Sequence, residues 1–250
     1  MVPLEALTLS RDAAPGIDDE AAELNARYGH LNAHDAIALT SDELFPGRAA
    51  LVSSFGADSA VLLHIVSEVD HGLPVIFLDS GRLFAETLEY RTRLTEQLGL
   101  TDVRTVTPDP SRLAANDPHR ALWMTNPDLC CQIRKTEPLQ RALLGFDAWF
   151  TGRKRFQNAQ RASLRLFEAD GIRIKVNPLA SWSIVDLKAH SERHGLPEHP
   201  LVAKGYPSIG CVPCTSRVSV GEDLRAGRWR GLDKSECGIH VPAEADGSGI

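Results

Sequence analysis

The chain has 250 residues, 43% hydrophobic and 24% charged, a balance that excludes a disordered or fibrous protein and allows one large domain or two small ones. Its longest apolar runs, such as 49–52 and 75–78, are too short to cross a bilayer, and the N-terminus lacks an export signal, so a soluble cytoplasmic protein is expected with no membrane partner. The net charge of −6 argues against broad nucleic-acid binding, so any phosphate site has to be a local basic pocket.

In chain order, residues 17–27 and 35–45 have helical spacing, and the second stretch stops at Pro46-Gly47. The run 49–52 predicts a strand, Ser53-Ser54-Phe55-Gly56-Ala57-Asp58-Ser59 a polar turn, and 60–69 a buried helix. The alternation continues with a strand at 74–78, a helix at 83–98 and a strand at 102–106. Further strands are expected at 148–151 and 172–176, and a helix at 184–194 after Ser183. Strands alternating with helices predict an α/β fold, a mostly parallel sheet flanked by helices. After residue 198 the alternation fades into an irregular C-terminal segment rich in Pro, Gly and Cys, and 241–250 reads as a mobile tail. Residues 1–14 show no pattern.

The turn at 53–59 can hold a phosphate on backbone N–H groups and the helix N-terminus. It lacks the Gly-Lys-Ser/Thr ending of a Walker A loop, so a short phosphate chain suits it better than ATP hydrolysis. Alone, it reads equally well as a Ser/Gly-rich helix cap. A second loop, Asp79-Ser80-Gly81-Arg82, follows the next strand, and both loops are expected to line one crevice at the carboxyl ends of the strands.

Five cysteines without an export signal are not a disulfide scaffold. Cys130-Cys131 and Cys211-X-X-Cys214 could hold zinc or an iron–sulfur group. Adjacent cysteines diverge, which favours a [4Fe–4S] cluster over a single ion; the bland alternative is a buried pair and an unrelated turn. Cys237 stands apart in Lys234-Ser235-Glu236-Cys237-Gly238-Ile239-His240, a polar setting that favours a thiolate nucleophile, although a free surface cysteine is as plausible on those residues alone. Arg225, Arg228 and the basic run Arg153-Lys154-Arg155 with Arg161 could gather around an anion. His64 reads as a core or edge histidine, and His190 and His194 as a solvated helix face with no evident third metal ligand. The four tryptophans read as packing residues.

Together the ordered motifs Ser-Phe-Gly-Ala-Asp-Ser, Leu78-Asp79-Ser80-Gly81-Arg82, Cys130-Cys131-X-X-Arg134-Lys135, Cys211-X-X-Cys214 and Glu236-Cys237-Gly238-Ile239-His240 resemble the assimilatory adenylyl-sulfate reductases, within the wider group that includes the phosphoadenylyl-sulfate reductases. The resemblance implies an ATP-pyrophosphatase-like fold, with an N-terminal helical segment at 1–47, a nucleotide-binding core at 48–200 and a cluster-completing, catalytic segment at 201–240. It implies attack of Cys237 on adenosine 5′-phosphosulfate, release of AMP, and liberation of sulfite by thioredoxin or glutaredoxin, as part of cysteine biosynthesis. By motif position Ser53, Ser54, Gly56, Asp79, Ser80 and Gly81 would line the nucleotide crevice. Lys135, Arg155, Arg161, Arg225, Arg228 and His240 would meet the anion, and Cys130, Cys131, Cys211 and Cys214 would hold the cluster. The double-cysteine motif tracks with the substrate lacking a 3′-phosphate. Lys154, Phe156 and Asn158 depart from the family's usual Gly-X-Arg-Arg-acid-Gln-Ser, which makes the anion role of Lys154 less secure than that of Arg155 or Arg161. No fused thioredoxin-like domain follows, so the reductant would be a separate protein; a homo-oligomer is allowed. Alternatives are a phosphoadenylyl-sulfate reductase, a sulfur-transfer enzyme of the same fold, and a cluster-based redox sensor in which Cys237 is incidental.

Overall fold

The computed structural model describes residues 16–232, 234 and 236–240, and the regions 1–14 and 241–250 fall outside these. Six strands form one sheet in the order β3-β2-β1-β4-β6-β5: β1 Ala49–Ser53, β2 Val75–Leu78, β3 Val103–Val106, β4 Ala148–Phe150, β5 Phe167–Asp170 and β6 Arg173–Val176. All pairings are parallel except β5 with β6. The Val-Ile-Phe-Leu run of β2 is buried throughout, as a central parallel strand requires when both faces are covered.

Alternation along each strand divides the core. Leu51 faces a cluster built with α1 Ile17–Tyr28, α2 Ala33–Ala38, α3 Ser59–Val69, α4 Ala85–Gln97 and α9 Ile184–Arg193. Ala50, Ile76 and Trp149 face the opposite side and pack under α8 Glu137–Ala142. Ser183 caps α9 and Asp186 returns the bond to its N–H, so this helix start matches the expectation. Among the described residues, no helix is long and apolar enough to cross a membrane.

The structure differs from the sequence reading in three places. The stretch 35–45 is α-helical only to Ala38 and then winds as a π-helix over Leu39–Leu44. Strand β5 was not expected. Phe167 and Ala169 face the core while Glu168 and Asp170 point to the other side, and four residues carrying two acids give little apolar signal. Between β3 and β4 the chain makes the short helices α5 Pro110–Asn116, α6 Leu122–Thr125 and α7 Pro127–Cys131, followed by α8. A π turn at Gln132–Thr136 joins α7 to α8. Pro138 has no N–H to offer the carbonyl four residues back, and the wide turn lies just before it.

Candidate active site

Sheet topology locates the main cavity. The chain runs from β1 outward through β2 and β3, then returns to place β4 on the other side of β1. The crevice at such a reversal is where open α/β sheets bind ligands. A cavity of about 770 Å³ lies there, walled by Ser53, Ser54 and Gly56 after β1 and by Arg153, Lys154 and Arg161 beyond β4. Phe55 turns the first loop with a positive φ of 47°. It is held there by a bond from its N–H to Ser53 Oγ at 3.2 Å and by its buried ring standing edge-on to Phe77.

The loop after β2 faces elsewhere. Asp79 Oδ1 closes a turn onto the Gly81 N–H at 2.9 Å. Ser80 Oγ lies 3.1 Å from Cys211 Sγ, and the Ser80 carbonyl accepts from Arg134 Nη1 at 2.9 Å. Asp79, Ser80 and Gly81 are therefore not among the cavity-lining residues. They support the cysteine group, because the chain reversal lies between β1 and β4 and not between β1 and β2. Arg155 also departs from the expectation. It is exposed and donates to the Leu164 carbonyl at 2.8 Å, outside the cavity, whereas Lys154, the residue given less weight, is buried in the wall and paired with Asp58 at 3.0 Å.

Cys130, Cys131, Cys211 and Cys214 share a smaller recess with Arg82, Arg134 and Trp123. Burial raises the thiol pKa of Cys130 and Cys214. Asp117, beneath this recess, holds Arg134 at 2.6 Å and lies 3.7 Å from Arg82. Among the described residues, the four sulfurs do not gather within 4.8 Å of one another as the ligands of one ion would; tetrahedral zinc at about 2.3 Å needs closer sulfurs. The spread, the recess and the thiol chemistry fit a polynuclear iron–sulfur group.

Lys135, Arg228 and Trp229 line both the recess and the cavity, and Cys237 is buried in the cavity wall. A hydrogen bond from Cys131 holds the Cys237 thiol well below its ordinary pKa against the opposing effect of burial; Lys135, the Ile239 N–H and Arg228 act in the same direction. The same bond raises Cys131. Burial works to lower Lys135, but Cys211, Cys237 and Cys131 outweigh it and raise the ammonium. Arg228 lies 4.3 Å from the Trp229 ring centroid and donates to the Ile209 carbonyl at 3.3 Å. Among the described residues, neither Lys135 nor Arg228 has a carboxylate partner.

The remaining cations are compensated. Glu236 accepts from Arg161 Nε at 2.6 Å and Nη2 at 2.7 Å and from Asn158 Nδ2 at 2.7 Å, with Arg225 at 3.6 Å. Burial pulls Arg225 down to about 10 despite Glu236, which leaves it charged at neutral pH. Arg153 pairs with Glu168 and Lys175 with Asp170, so the unexpected strand β5 supplies the counter-charges. His240 lies parallel to Trp149, centroids 6.4 Å apart. Burial, then Arg161, Arg153, Lys175 and Arg225, push its pKa well down, and its buried Nδ1 has no partner among the described residues.

The sequence reading passed over Glu236 as an anchor, though its place beside Cys237 was the available signal. Asn158, a departure from the family pattern, is explained by its bonds to Glu236 and to the Arg161 N–H at 3.0 Å.

Residues 48–217 match the phosphoadenosine phosphosulfate reductase domain family. The chain is 53% identical over 230 residues to the adenosine 5′-phosphosulfate reductase of Mesorhizobium japonicum, with 92% of this chain and 91% of that protein covered. It is 38% identical over 239 residues to the enzyme of the same name from Mycolicibacterium smegmatis, covering 92% and 99%. The phosphoadenylyl-sulfate reductase of Candida auris, solved as a phosphate complex, superposes with a TM-score of 0.68 at 26% identity over 85% of this chain and 100% of that one. An FMN adenylyltransferase from Candida glabrata, at 12% identity and TM-score 0.54 over 88% and 84%, shares the fold alone.

Proposed function

Since the chain belongs to the phosphoadenosine phosphosulfate reductase domain family, we propose that it is an oxidoreductase that converts adenosine 5′-phosphosulfate to sulfite and AMP in sulfate assimilation, with a thioredoxin or glutaredoxin dithiol as reductant. The observation that carries this reading is the position of Cys237 in the cavity wall beside Lys135 and Arg228, two cations whose charge no carboxylate among the described residues offsets. The relatives named for the substrate without a 3′-phosphate, at 53% and 38% identity, favour it over the 3′-phosphorylated form.

In this reading residues 48–200 carry the nucleotide, and 201–240 complete the cysteine group and deliver the nucleophile. Ser53, Ser54 and Gly56 hold the AMP portion. Lys135, Arg228 and Arg225 surround the phosphosulfate, with Arg161 held in line by Glu236. The Cys237 thiolate attacks the substrate sulfur; the S–O bond to phosphate breaks, AMP departs with the electron pair, and an S-sulfocysteine remains. A thiolate of the external dithiol then attacks Cys237 Sγ and expels sulfite, and its second thiol resolves the mixed disulfide, so the dithiol leaves oxidised. AMP is a good leaving group, so the protein chiefly aligns reactants and neutralises charge. Neutral His240, stacked on Trp149, offers a hydrogen-bonding nitrogen to the anion without adding charge.

The finer cofactor assignment is a [4Fe–4S] cluster held by Cys130, Cys131, Cys211 and Cys214. When bound it supplies electrostatic tuning rather than electrons, since the external dithiol carries the reducing equivalents. Ligation requires each of these thiols as thiolate, so the Cys131 proton shared with Cys237 is given up, while Lys135 and Arg228 continue to favour the Cys237 thiolate.

Mixing anaerobic protein with adenosine 5′-phosphosulfate and no reductant should leave a sulfo adduct on Cys237, located by peptide mapping and removed by thioredoxin. An adduct formed only with the 3′-phosphorylated substrate would reassign the substrate, and none with either would defeat the reading.

Gly210 gives a sharper test of Arg228. A Cβ at this position would approach Arg228 Nη2 to 2.3 Å. What must yield is the end of a side chain, so Gly210→Ala should fold while displacing the guanidinium. The expected loss in kcat/KM is about tenfold to a hundredfold, the worth of one misplaced charge-assisted contact. Unchanged sulfite-formation kinetics would separate Arg228 from the anion.

A further inference from the structure

Away from the cavity wall, α3 and α9 bring together a cluster that the proposed reaction does not use. His64 and Glu68 lie one turn apart on α3, and His190 and His194 one turn apart at the end of α9. The rings of His64 and His190 are 5.1 Å apart, those of His64 and His194 4.4 Å, and those of His190 and His194 4.4 Å. Ligating atoms of His64, Glu68 and His194 all lie within 4.8 Å of one another. His64 Nδ1 is 3.3 Å from Glu68 Oε2 and 3.3 Å from His190 Nε2.

We propose that His64, Glu68 and His194 form a binding site for one divalent transition-metal ion of the zinc type, clamping α3 to α9, with His190 packed beside His64. A tetrahedral zinc with imidazole nitrogens and a carboxylate oxygen at about 2.0–2.2 Å has ligand–ligand edges of about 3.3–3.6 Å, and His64 Nδ1 and Glu68 Oε2 already stand at that spacing. Two imidazoles and one carboxylate, with water in the fourth position, suit zinc and its neighbours; magnesium and calcium require oxygen-rich sets. His64 is largely covered, with a side-chain exposure of 14%, while Glu68 at 44% leaves the site open to solvent for entry. The partners that His194 lacks on its own helix, His64 and Glu68, come from α3. The clamp has a mechanical consequence. Helix α3 starts directly after the 53–58 loop, and Ile184, Leu187 and Lys188 of α9 line the cavity, so a bound ion would tie together the two helices that flank the nucleotide portion.

The test uses untagged holoprotein titrated with zinc sulfate against a competing chelator, followed by X-ray absorption at the zinc edge. The expected result is one zinc per chain with a nitrogen and oxygen shell at about 2.0–2.1 Å and no sulfur at about 2.3 Å. The double variant His190→Ala/His194→Ala should weaken binding by on the order of 100-fold or more, with sulfite formation in zinc-free buffer unchanged. Glu68→Gln, at an exposed position, gives an independent variant expected to weaken binding in the same direction. A sulfur-containing shell would place the ion in the cysteine group and overturn the site. So would wild-type affinity in both variants, or no zinc retained tighter than about 10 μM.

Discussion

Replacing Cys237 with serine is expected to abolish sulfite formation, lowering kcat/KM by on the order of 10⁴-fold or more, while the protein still binds AMP. A serine hydroxyl occupies nearly the same volume, so the buried wall is preserved, but it does not ionise in the setting of Cys131, Lys135 and Arg228 that pulls the thiol pKa down. The loop at Ser53–Gly56 and the cations remain in place, so equilibrium binding of AMP should change little. The colour of an iron–sulfur group should also persist, because Cys237 is not one of the four cysteines that share the recess. Peptide mapping after incubation with adenosine 5′-phosphosulfate should find no sulfo adduct on the variant. Near-normal turnover in the variant would remove Cys237 as the nucleophile.

What could be read from the chain was what leaves a local mark. The buried runs of β1 and β2 and the cap at Ser183 are local patterns, and each lies where the sequence placed it in the fold. Arrangements set by pairing across the sheet were not legible. The Asp79-Ser80-Gly81 loop lies outside the cavity lining because topology, not motif, determines which strand end faces the reversal between β1 and β4. Lys154 and Arg155 are sequence neighbours with opposite fates, one buried against Asp58 and one exposed, and adjacent positions in an irregular segment carry no periodicity to tell them apart. Strand β5 escaped notice because its Glu168 and Asp170 have partners only in the folded state, Arg153 and Lys175, more than local spacing can show.

Glu236 carries the largest expected effect on stability combined with activity. Its carboxylate receives two bonds from Arg161 and one from Asn158, with Arg225 alongside, and both partners in the Arg161–Glu236 pair have side chains no more than 10% exposed. Removing one member of such a buried pair leaves charge without compensation, at a cost of about 3 kcal/mol or more. Glu236→Ala should therefore lower Tm by about 6–12 °C for a chain of this size. Sulfite formation should fall as well, since Arg161 and Arg225 then repel each other across the anion site. The pH dependence has a definite sign. Burial works to raise the Glu236 pKa, but its bonds and charge contacts with Arg161 outweigh this and hold it below the ordinary value of 4.5. The stabilisation is thus fully present above that value and is lost as pH falls through the lower folded-state value. Urea midpoints of wild type and variant should differ most near neutral pH and converge on acidification below about 4.5. A variant as stable as wild type at neutral pH would mean that the two arginines find other partners, and that Glu236 does not hold the anion site together.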